Sequence, residues 1–459
     1  MTGPADRRHF IRTGAACLAA AGVIPRFFPF RAFSRPRPTP AQLAWQRDEL
    51  AMFVHFGMNT FTDREWGDGT EDPARFNPES LDARQWARAA RETGFRAMIL
   101  TAKHHDGFCL WPSRTTAHSV AASPWRSGRG DVVREFVDAC RAEGLRPGLY
   151  LSPWDRNSPV YGDSPRYDDF YCDQLTELLT RYGRLAEVWF DGANGEGPGG
   201  RKQVYNWPRY FALVRRLQPD AVIFSDAGPD VRWIGNETGS AGDPNWATMD
   251  PDAVPYPGAS GEGIIEALQH GDPEGSVWRP GETDTSIRPG WFHHPSEDGR
   301  VKSLEQLVGT YFTSVGRNSK LLLNVPPTAP GRFHRNDILR LRAFHERLST
   351  LFRDDFLSGR PVSWSRTGPR TAVAQVDLGR TVTAGLVRLE EDIAGGQDIA
   401  RYRVSGAVGD SWQILSRGQT VGYRKLDRFD PVRIRRLRVE IEDAVAPPRL
   451  VRVGLYAGE

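Results

Sequence analysis

Cysteine is scarce in this sequence and is not arranged for metal binding. The 459-residue chain has only four cysteines, at Cys17, Cys109, Cys140 and Cys172, and no two of them form a CxxC pair. Zinc ribbons and thioredoxin-like redox sites are built on such pairs, so both classes are excluded. The cysteines do not suggest a disulfide framework either. Cys140 lies on the apolar stripe of a predicted helix and is expected to be a small buried side chain.

The sequence also lacks an excess of either charge. It has 60 basic and 57 acidic residues, with a formal net charge of +3. Such a balance gives no reason to expect nucleic acid as a partner. The chain is 25% charged and 39% hydrophobic, which is typical of globular proteins. Its 14 tryptophans are many for this length. Most are expected in the core, but flat aromatic faces also suit partly polar ligands such as sugar rings.

The N-terminal 40 residues contain no convincing membrane span. The stretch "DRRHFIRTGAACLAAAGVIP" has the pair Arg7 and Arg8, then Phe10 and a short apolar run that ends near Ile24. This pattern is similar to a twin-arginine export signal, although a disordered basic tail is the alternative. The apolar run is too short to cross a bilayer. We therefore predict a signal and linker over residues 1–40, export to the periplasm or the medium, and no stable membrane insertion afterwards.

Strand-like and helix-like segments alternate between residues 41 and 350. The candidate strands are near-continuous apolar runs, as expected for parallel strands buried on both faces. Helical patterns cover residues 80–94, where Ser80 is the expected N-cap, 130–144 and 303–317. This alternation predicts a (β/α)8-like barrel or a doubly wound sheet. The candidate strands are 52–57, 96–103, 145–153, 185–192, 221–226 and 319–327.

Polar residues follow several of these strands. They include His55, Lys103, Asp155, Asp191 and Asp226. In a barrel such strand ends converge on one face, where active sites lie, so this pattern favours the barrel over the open sheet. Beyond residue 350 the segments become short and often alternating, separated by Gly, Pro and Asp. This pattern predicts a C-terminal β-sandwich over residues 351–459 after a catalytic barrel over 41–350.

Two acidic residues stand out as a possible catalytic pair. Asp191 follows an apolar run in "VWFDGANG", and Glu237 lies in "RWIGNETG", a stretch we expect to be a loop after the fifth strand. Taken alone, Asp191 could be a helix cap and Glu237 a solvated loop residue. Together they suit glycoside cleavage, which uses one carboxylate as the nucleophile and one carboxyl group as the acid/base. The neighbouring Trp233 and Ile234 could raise the pKa of Glu237.

The adjacent histidines His104 and His105 raise the question of a metal site. Adjacent residues of an extended segment point to opposite sides, so a single ion rarely binds both. We therefore expect the two imidazoles and Lys103 to act as hydrogen-bonding groups for a polar ligand. Neither a metal nor a cofactor is predicted. A metal-dependent hydrolase that uses His104, His105 and Asp106 remains an alternative function.

Seven motifs in chain order give a more specific indication. The segment from about residue 45 to 330 resembles glycoside hydrolase family 29, the α-L-fucosidases. The resemblance implies a retaining mechanism on a (β/α) barrel, with Asp191 as the nucleophile that forms a covalent fucosyl intermediate and Glu237 as the acid/base. "GNETG" is similar to the branch that cleaves α-1,3 and α-1,4 linkages in Lewis-type glycans. The motifs are "FVHFGMNTFTDREWGDG", "FNPESLDARQW", "TAKHHDGFCLWPS", "HSVAASPW", "GLYLSPWDR", "VWFDGANG" and "RWIGNETG".

The same resemblance implies a set of substrate-binding residues and a fucosylated oligosaccharide or glycoconjugate as partner. It leaves open whether the C-terminal domain binds sugar. Two further alternatives remain: an exo-glycosidase for another sugar, and a sugar-binding protein without activity. The implied contacts to fucose are His55, Glu65, His104, His105 and Trp189, with Trp291, Trp66 and Trp154 as aromatic contacts.

Overall fold

The structure is a computed structural model that describes residues 35–409 and 411–458. The predicted export signal lies outside these residues. Within the described part of the chain, no helix has the length and apolar character needed to cross a membrane.

Eight parallel strands form the central sheet. Their order is β5-β4-β3-β2-β1-β10-β9-β6, and an isolated parallel bridge between Phe224 and Val231 joins β5 to the start of β6. The sheet therefore curls into a nearly closed barrel, which confirms the predicted fold class. The strands up to residue 324 are β1 Leu50–Val54, β2 Ala97–Lys103, β3 Arg146–Leu151, β4 Glu187–Trp189, β5 Val222–Phe224, β6 Arg232–Trp233, β7 Thr248–Met249, β8 Val277–Trp278, β9 Gly281–Ser286 and β10 Lys320–Asn324.

Helices separate most of these strands. α3 begins at an N-cap formed by Asp82, whose side chain accepts from the backbone N–H of Gln85, and not at Ser80. No helix lies between β5 and β6. The helices are α1 Pro40–Arg47, α2 Met58–Thr62, α3 Ala83–Glu92, α4 Val132–Ala142, α5 Ser164–Arg181, α6 Trp207–Leu217, α7 Glu262–His270, α8 Leu304–Thr313 and α9 Arg335–Leu351.

The barrel strands are buried on both faces. Alternate residues such as Phe53 and Ile99 pack inside the barrel, while Met52 and Met98 pack with the helices outside. This two-sided burial explains the near-continuous apolar runs. The interior also holds charge, since Lys320 Nζ lies 3.2 Å from Glu187 Oε2 and 3.7 Å from Glu282 Oε2.

Two barrel strands, β6 and β9, are absent from the predicted set. β9 reads "GETDTS" and is buried at all six positions. Because its residues are polar, a search for apolar runs does not find it. β6 is only two residues long and opens the stretch that we expected to be entirely a loop.

Beyond α9 the chain forms a separate antiparallel sheet, as expected for a C-terminal β domain. Its order is β11-β12-β15-β13-β14, with β16 paired to β12. The sequence pattern predicts separate strands in "TAVAQVDLG" and "TAGLVRLEED", which the structure joins in the single strand β12, and it does not predict β16. The strands are β11 Trp364–Arg366, β12 Ala372–Glu391, β13 Ile399–Val408, β14 Ser411–Gln419, β15 Lys425–Ala444 and β16 Leu450–Tyr456.

Candidate active site

The polar strand ends meet around one cavity at the carboxyl end of the barrel. Its volume is about 200 Å³, below the usual range for drug-sized ligands and suited to a small one such as a single sugar ring. Eight of the ten predicted site residues line it; Phe53, Tyr150, Ala193 and Asp284 were not predicted. The lining residues are Phe53, His55, Trp66, His104, His105, Tyr150, Trp189, Asp191, Ala193, Glu237, Asp284 and Trp291.

The carboxylate of Asp191 is held by two hydrogen-bond donors. Oδ1 accepts from the backbone N–H of Ala193 at 2.7 Å, and Oδ2 accepts from the hydroxyl of Tyr150 at 3.1 Å. Asp191 does not cap a helix, because the next helix, α6, begins after the N-cap Asn206. The side chain keeps 28% of its surface exposed. It is therefore oriented and open to the cavity, as a nucleophile requires.

A hydrogen-bond chain orients His105 beside Asp191. The hydroxyl of Ser152 donates to the Trp154 carbonyl at 2.7 Å, and Ser152 Oγ lies 2.7 Å from His105 Nδ1. Because the hydroxyl proton is engaged, Nδ1–H of His105 is the donor to Ser152. Nε2 then faces Asp191 Oδ2 at 3.9 Å. Burial lowers the pKa of His105, although Asp191 opposes that shift.

His55 and His104 are buried and neutral. Nδ1–H of His55 donates to Asn324 Oδ1 at 2.9 Å, and the Asn324 amide is fixed in turn by donating to the Trp291 carbonyl at 2.8 Å. Burial lowers the pKa of His55 to about 3. Burial, with repulsion from His105 and His55, also lowers the pKa of His104. Neutral imidazoles offer both donors and acceptors, which suits sugar hydroxyls.

Glu237 is adapted to hold a proton. Its Oε2 accepts from Nε1–H of Trp291 at 3.3 Å. Burial raises the pKa of Glu237, and repulsion from Asp191 and Glu65 adds to this, whereas the Trp291 hydrogen bond opposes it. A carboxyl group biased towards its protonated form beside a second carboxyl group in one site is the usual arrangement of an acid and a nucleophile.

Two further carboxyl groups border this pair: Asp226, which is one of the polar strand ends noted in the sequence, and Asp284, which the sequence pattern does not single out. Asp284, in β9, accepts from Nε1–H of Trp233 at 2.8 Å. Burial and repulsion from Glu237 raise its pKa well above the ordinary value. Asp226 accepts from the backbone N–H of Gly258 at 2.9 Å, and burial with repulsion from Asp191 raises its pKa to about 7.

Three residues expected at the ligand lie behind the lining. Glu65 accepts from the backbone N–H of Trp291 at 2.5 Å, so it fixes that loop. The Trp154 ring packs on His105 with centroids 4.9 Å apart. Lys103 is fully buried and pairs with Asp155 at 2.9 Å, so it is not a ligand donor. In the described ranges no three His, Cys, Asp or Glu side chains are grouped to hold a metal ion.

Comparison with known proteins identifies the family. The α-L-fucosidase family model matches residues 44–350. Alpha-L-fucosidase 1 of Arabidopsis thaliana is 42% identical over 450 residues, which cover 92% of this chain and 87% of the relative.

Solved structures agree with that match. A glycoside hydrolase 29 family member from an unknown rumen bacterium is 42% identical with a TM-score of 0.86, covering 93% of this chain and 78% of the other. A Ruminococcus gnavus GH29 fucosidase in complex with fucose is 30% identical with a TM-score of 0.83, covering 92% and 95%. The chain thus belongs to the α-L-fucosidases of glycoside hydrolase family 29.

Proposed function

We propose that this protein is a retaining, exo-acting α-L-fucosidase that removes terminal α-1,3- or α-1,4-linked L-fucose from Lewis-type oligosaccharides or glycoconjugates. The family membership supports fucose as the sugar. The resemblance of "GNETG" to the 1,3/1,4 branch supports the linkage. The observation that carries the proposal is the convergence of Asp191 and Glu237 on one small cavity, one carboxylate held by donors and one carboxyl biased towards its protonated form.

In the first step Asp191 attacks the anomeric carbon of fucose. A bond forms between a carboxylate oxygen and that carbon while the bond to the leaving oxygen breaks. Glu237 transfers its proton to the leaving oxygen, so the leaving sugar departs as a neutral alcohol and Glu237 becomes a carboxylate. The product on the enzyme is a fucosyl ester of Asp191.

In the second step water replaces Asp191 on the sugar. The Glu237 carboxylate accepts a proton from water as the water oxygen bonds to the anomeric carbon. The ester bond to Asp191 breaks, and the carboxylate that leaves is stabilised by the hydroxyl of Tyr150 and the N–H of Ala193. Two inversions at one carbon give net retention.

The test is fucose release from a Lewis-type branched trisaccharide beside an aryl α-L-fucoside. Asp191→Ala is expected to lose several powers of ten in rate, roughly 4–8 kcal/mol of barrier, while Asp169→Ala, an exposed acid on α5, serves as the control. NMR of the first-formed sugar should show the α anomer. The β anomer would exclude retention, and strong activity on the aryl fucoside alone would exclude the 1,3/1,4 assignment.

We further propose that residues 1–40 direct export by a twin-arginine route. The support is the Arg7–Arg8 pair ahead of a short apolar run. Replacing both arginines by lysine should leave the protein in the cytoplasmic fraction, measured by cell fractionation. Unchanged export of the double variant would contradict the proposal.

A further inference from the structure

The C-terminal sheet domain reaches into the barrel through buried polar side chains. Gln397 and Thr420 are 0% and 3% exposed, and both contact Asn245. Gln397 Nε2 donates to the Asn245 carbonyl at 3.1 Å, and Thr420 Oγ1 accepts from the Asn245 backbone N–H at 3.1 Å. Gln397 Oε1 also accepts from the backbone N–H of Ala247 at 2.7 Å. Two domains can pack against each other without such bonds, so these bonds indicate a specific contact.

Asn245 uses all of its polar groups. Besides the bonds to the C-terminal domain, its Oδ1 accepts from the Arg232 guanidinium at 2.8 Å, and its Nδ2 donates to the Arg317 carbonyl at 2.8 Å. Its own carbonyl also accepts from Asn318 Nδ2 at 3.1 Å. Since buried polar networks are rigid when every member is satisfied, Asn245 joins the C-terminal domain firmly to two barrel segments.

Arg232 and Asn245 flank the loop that carries Glu237. Arg232 opens β6 immediately before the loop, and Asn245 lies after it. Within this loop, the carbonyl of Gly239 accepts a hydrogen bond from the hydroxyl of Thr313, at the end of α8, at 2.9 Å. The Arg317 guanidinium donates to the Ala241 carbonyl at 2.9 Å. The loop is therefore flanked by Arg232 and Asn245, which bond to each other, and its second half is held by Thr313 and by Arg317, whose carbonyl accepts from Asn245.

The backbone of Thr420 is strained where it makes this contact. Thr420 adopts φ +46°, a left-handed conformation that β-branched residues rarely take. Such a conformation is retained where surrounding contacts over-determine it. Glycine would adopt it without strain but would lack the hydroxyl that accepts from Asn245.

An ion pair between a buried lysine and a half-exposed aspartate joins the same two regions. Lys425, at the start of β15 and 3% exposed, lies 2.6 Å from Asp243 Oδ2. The backbone of Leu426 also donates to the Gly316 carbonyl at 3.0 Å. The C-terminal domain is thus connected to the barrel by side-chain hydrogen bonds, an ion pair and a backbone hydrogen bond.

We propose that the C-terminal domain positions the acid/base: Gln397 and Thr420, acting through Asn245, fix the loop that holds Glu237. The inference rests on the proposed role of Glu237. Proton transfer to a leaving oxygen depends on the position of the donor, and a small displacement of a catalytic group slows the reaction strongly. Gln397, Thr420 and Asn245 are positioning residues, since none of them lines the cavity.

The experiment compares substrates that differ in their need for an acid. The variants are Gln397→Ala, Thr420→Val and the conservative Thr420→Ser, with Gln375→Ala on the exposed face of β12 as the matched control. A Lewis-type trisaccharide needs its leaving sugar protonated, whereas fluoride leaves α-L-fucosyl fluoride with little help. For the trisaccharide, kcat/KM of Gln397→Ala and Thr420→Val should fall roughly 10- to 100-fold. For the fluoride it should change less than about threefold, because the acid contributes little to that step.

The pH profile gives a second readout that simple destabilisation would not move. A loosened loop admits water to Glu237, which reduces the burial that raises its pKa. The alkaline limb of kcat/KM should therefore move to lower pH in Gln397→Ala and Thr420→Val. Thr420→Ser keeps the hydroxyl and should retain the wild-type limb.

Equal losses on both substrates with an unmoved alkaline limb would overturn the inference, as would unchanged activity on both. If Gln397→Ala does not fold, Thr420→Val, which preserves the side-chain shape, decides the outcome. Glu237→Ala separates this inference from the proposed function. If Glu237→Ala shows no dependence on the leaving group, the acid/base assignment fails. If Glu237→Ala depends on the leaving group but Gln397→Ala and Thr420→Val do not, only the positioning role fails.

Discussion

The hydroxyl of Tyr150 donates a hydrogen bond to Oδ2 of Asp191 at 3.1 Å, although Tyr150 lies in one barrel strand and Asp191 follows the next one. Tyr150 lies within β3, and its side chain faces the barrel interior. Burial and the nearby Asp191 raise the pKa of the Tyr150 phenol well above its ordinary value, so the phenol remains a donor at any working pH. This donor fixes the side chain of the proposed nucleophile, Asp191.

Tyr150→Phe should slow the second step of the proposed mechanism, because in that step Asp191 leaves the sugar as a carboxylate and the variant has lost one of its donors. Loss of a hydrogen bond to a charged group corresponds to roughly a 10- to 100-fold lower rate. Rapid-mixing measurements of fluoride release from α-L-fucosyl fluoride should show a burst followed by slow turnover. Unchanged turnover without a burst would show that the Tyr150 contact has no role in this step.

Trp291→Phe should shift the alkaline limb of kcat to higher pH. The Trp291 N–H stabilises the charged form of Glu237 and so lowers the Glu237 pKa; removing this donor raises the pKa, and the acid stays protonated further into the alkaline range. The measurement is kcat against pH at saturating substrate, with Trp412→Phe in the C-terminal sheet as control. A shift to lower pH would contradict this account.

Asp284 should act as a neutral hydrogen-bonding group. Asp284→Asn keeps an acceptor for Trp233 and a donor towards the cavity, so kcat/KM should remain within about threefold of wild type. Asp284→Leu leaves the Trp233 N–H unpaired and should lose roughly 10- to 100-fold. Steady-state kinetics of the two variants decide the matter. If Asp284→Asn lowers kcat/KM as much as Asp284→Leu does, Asp284 acts as a carboxylate.

The buried histidines should make stability depend on pH in the acidic range. The pKa of His55 falls from 6.5 to about 3 on folding, so between these values the unfolded chain binds more protons. Stability is therefore full above pH 6.5 and declines as the pH falls towards about 3. Chemical denaturation at several pH values should show this slope, and His55→Gln should reduce it. An equal slope in both proteins would place the titration elsewhere.

The barrel was largely predictable because its strands are apolar on both faces. Six of the eight strands give near-continuous apolar runs, and their polar ends marked His55, Asp191 and their neighbours. β9 could not be found in this way, since Glu282 and Asp284 face the interior of the barrel and are buried there among polar partners. Glu65 shows the reverse, because it stands in a site motif but holds the Trp291 backbone rather than lining the cavity.

By itself the sequence determined the order of strands and helices and the residues that follow the strands, because local apolar pattern and spacing encode both. Only the tertiary structure decided which side chains meet. Tyr150 reaches Asp191, and Gln397 reaches Asn245, because barrel curvature and the docking of the C-terminal sheet bring distant segments together. The raised pKa of Glu237 is likewise a tertiary property, since it depends on burial and on charges contributed by other strands and loops.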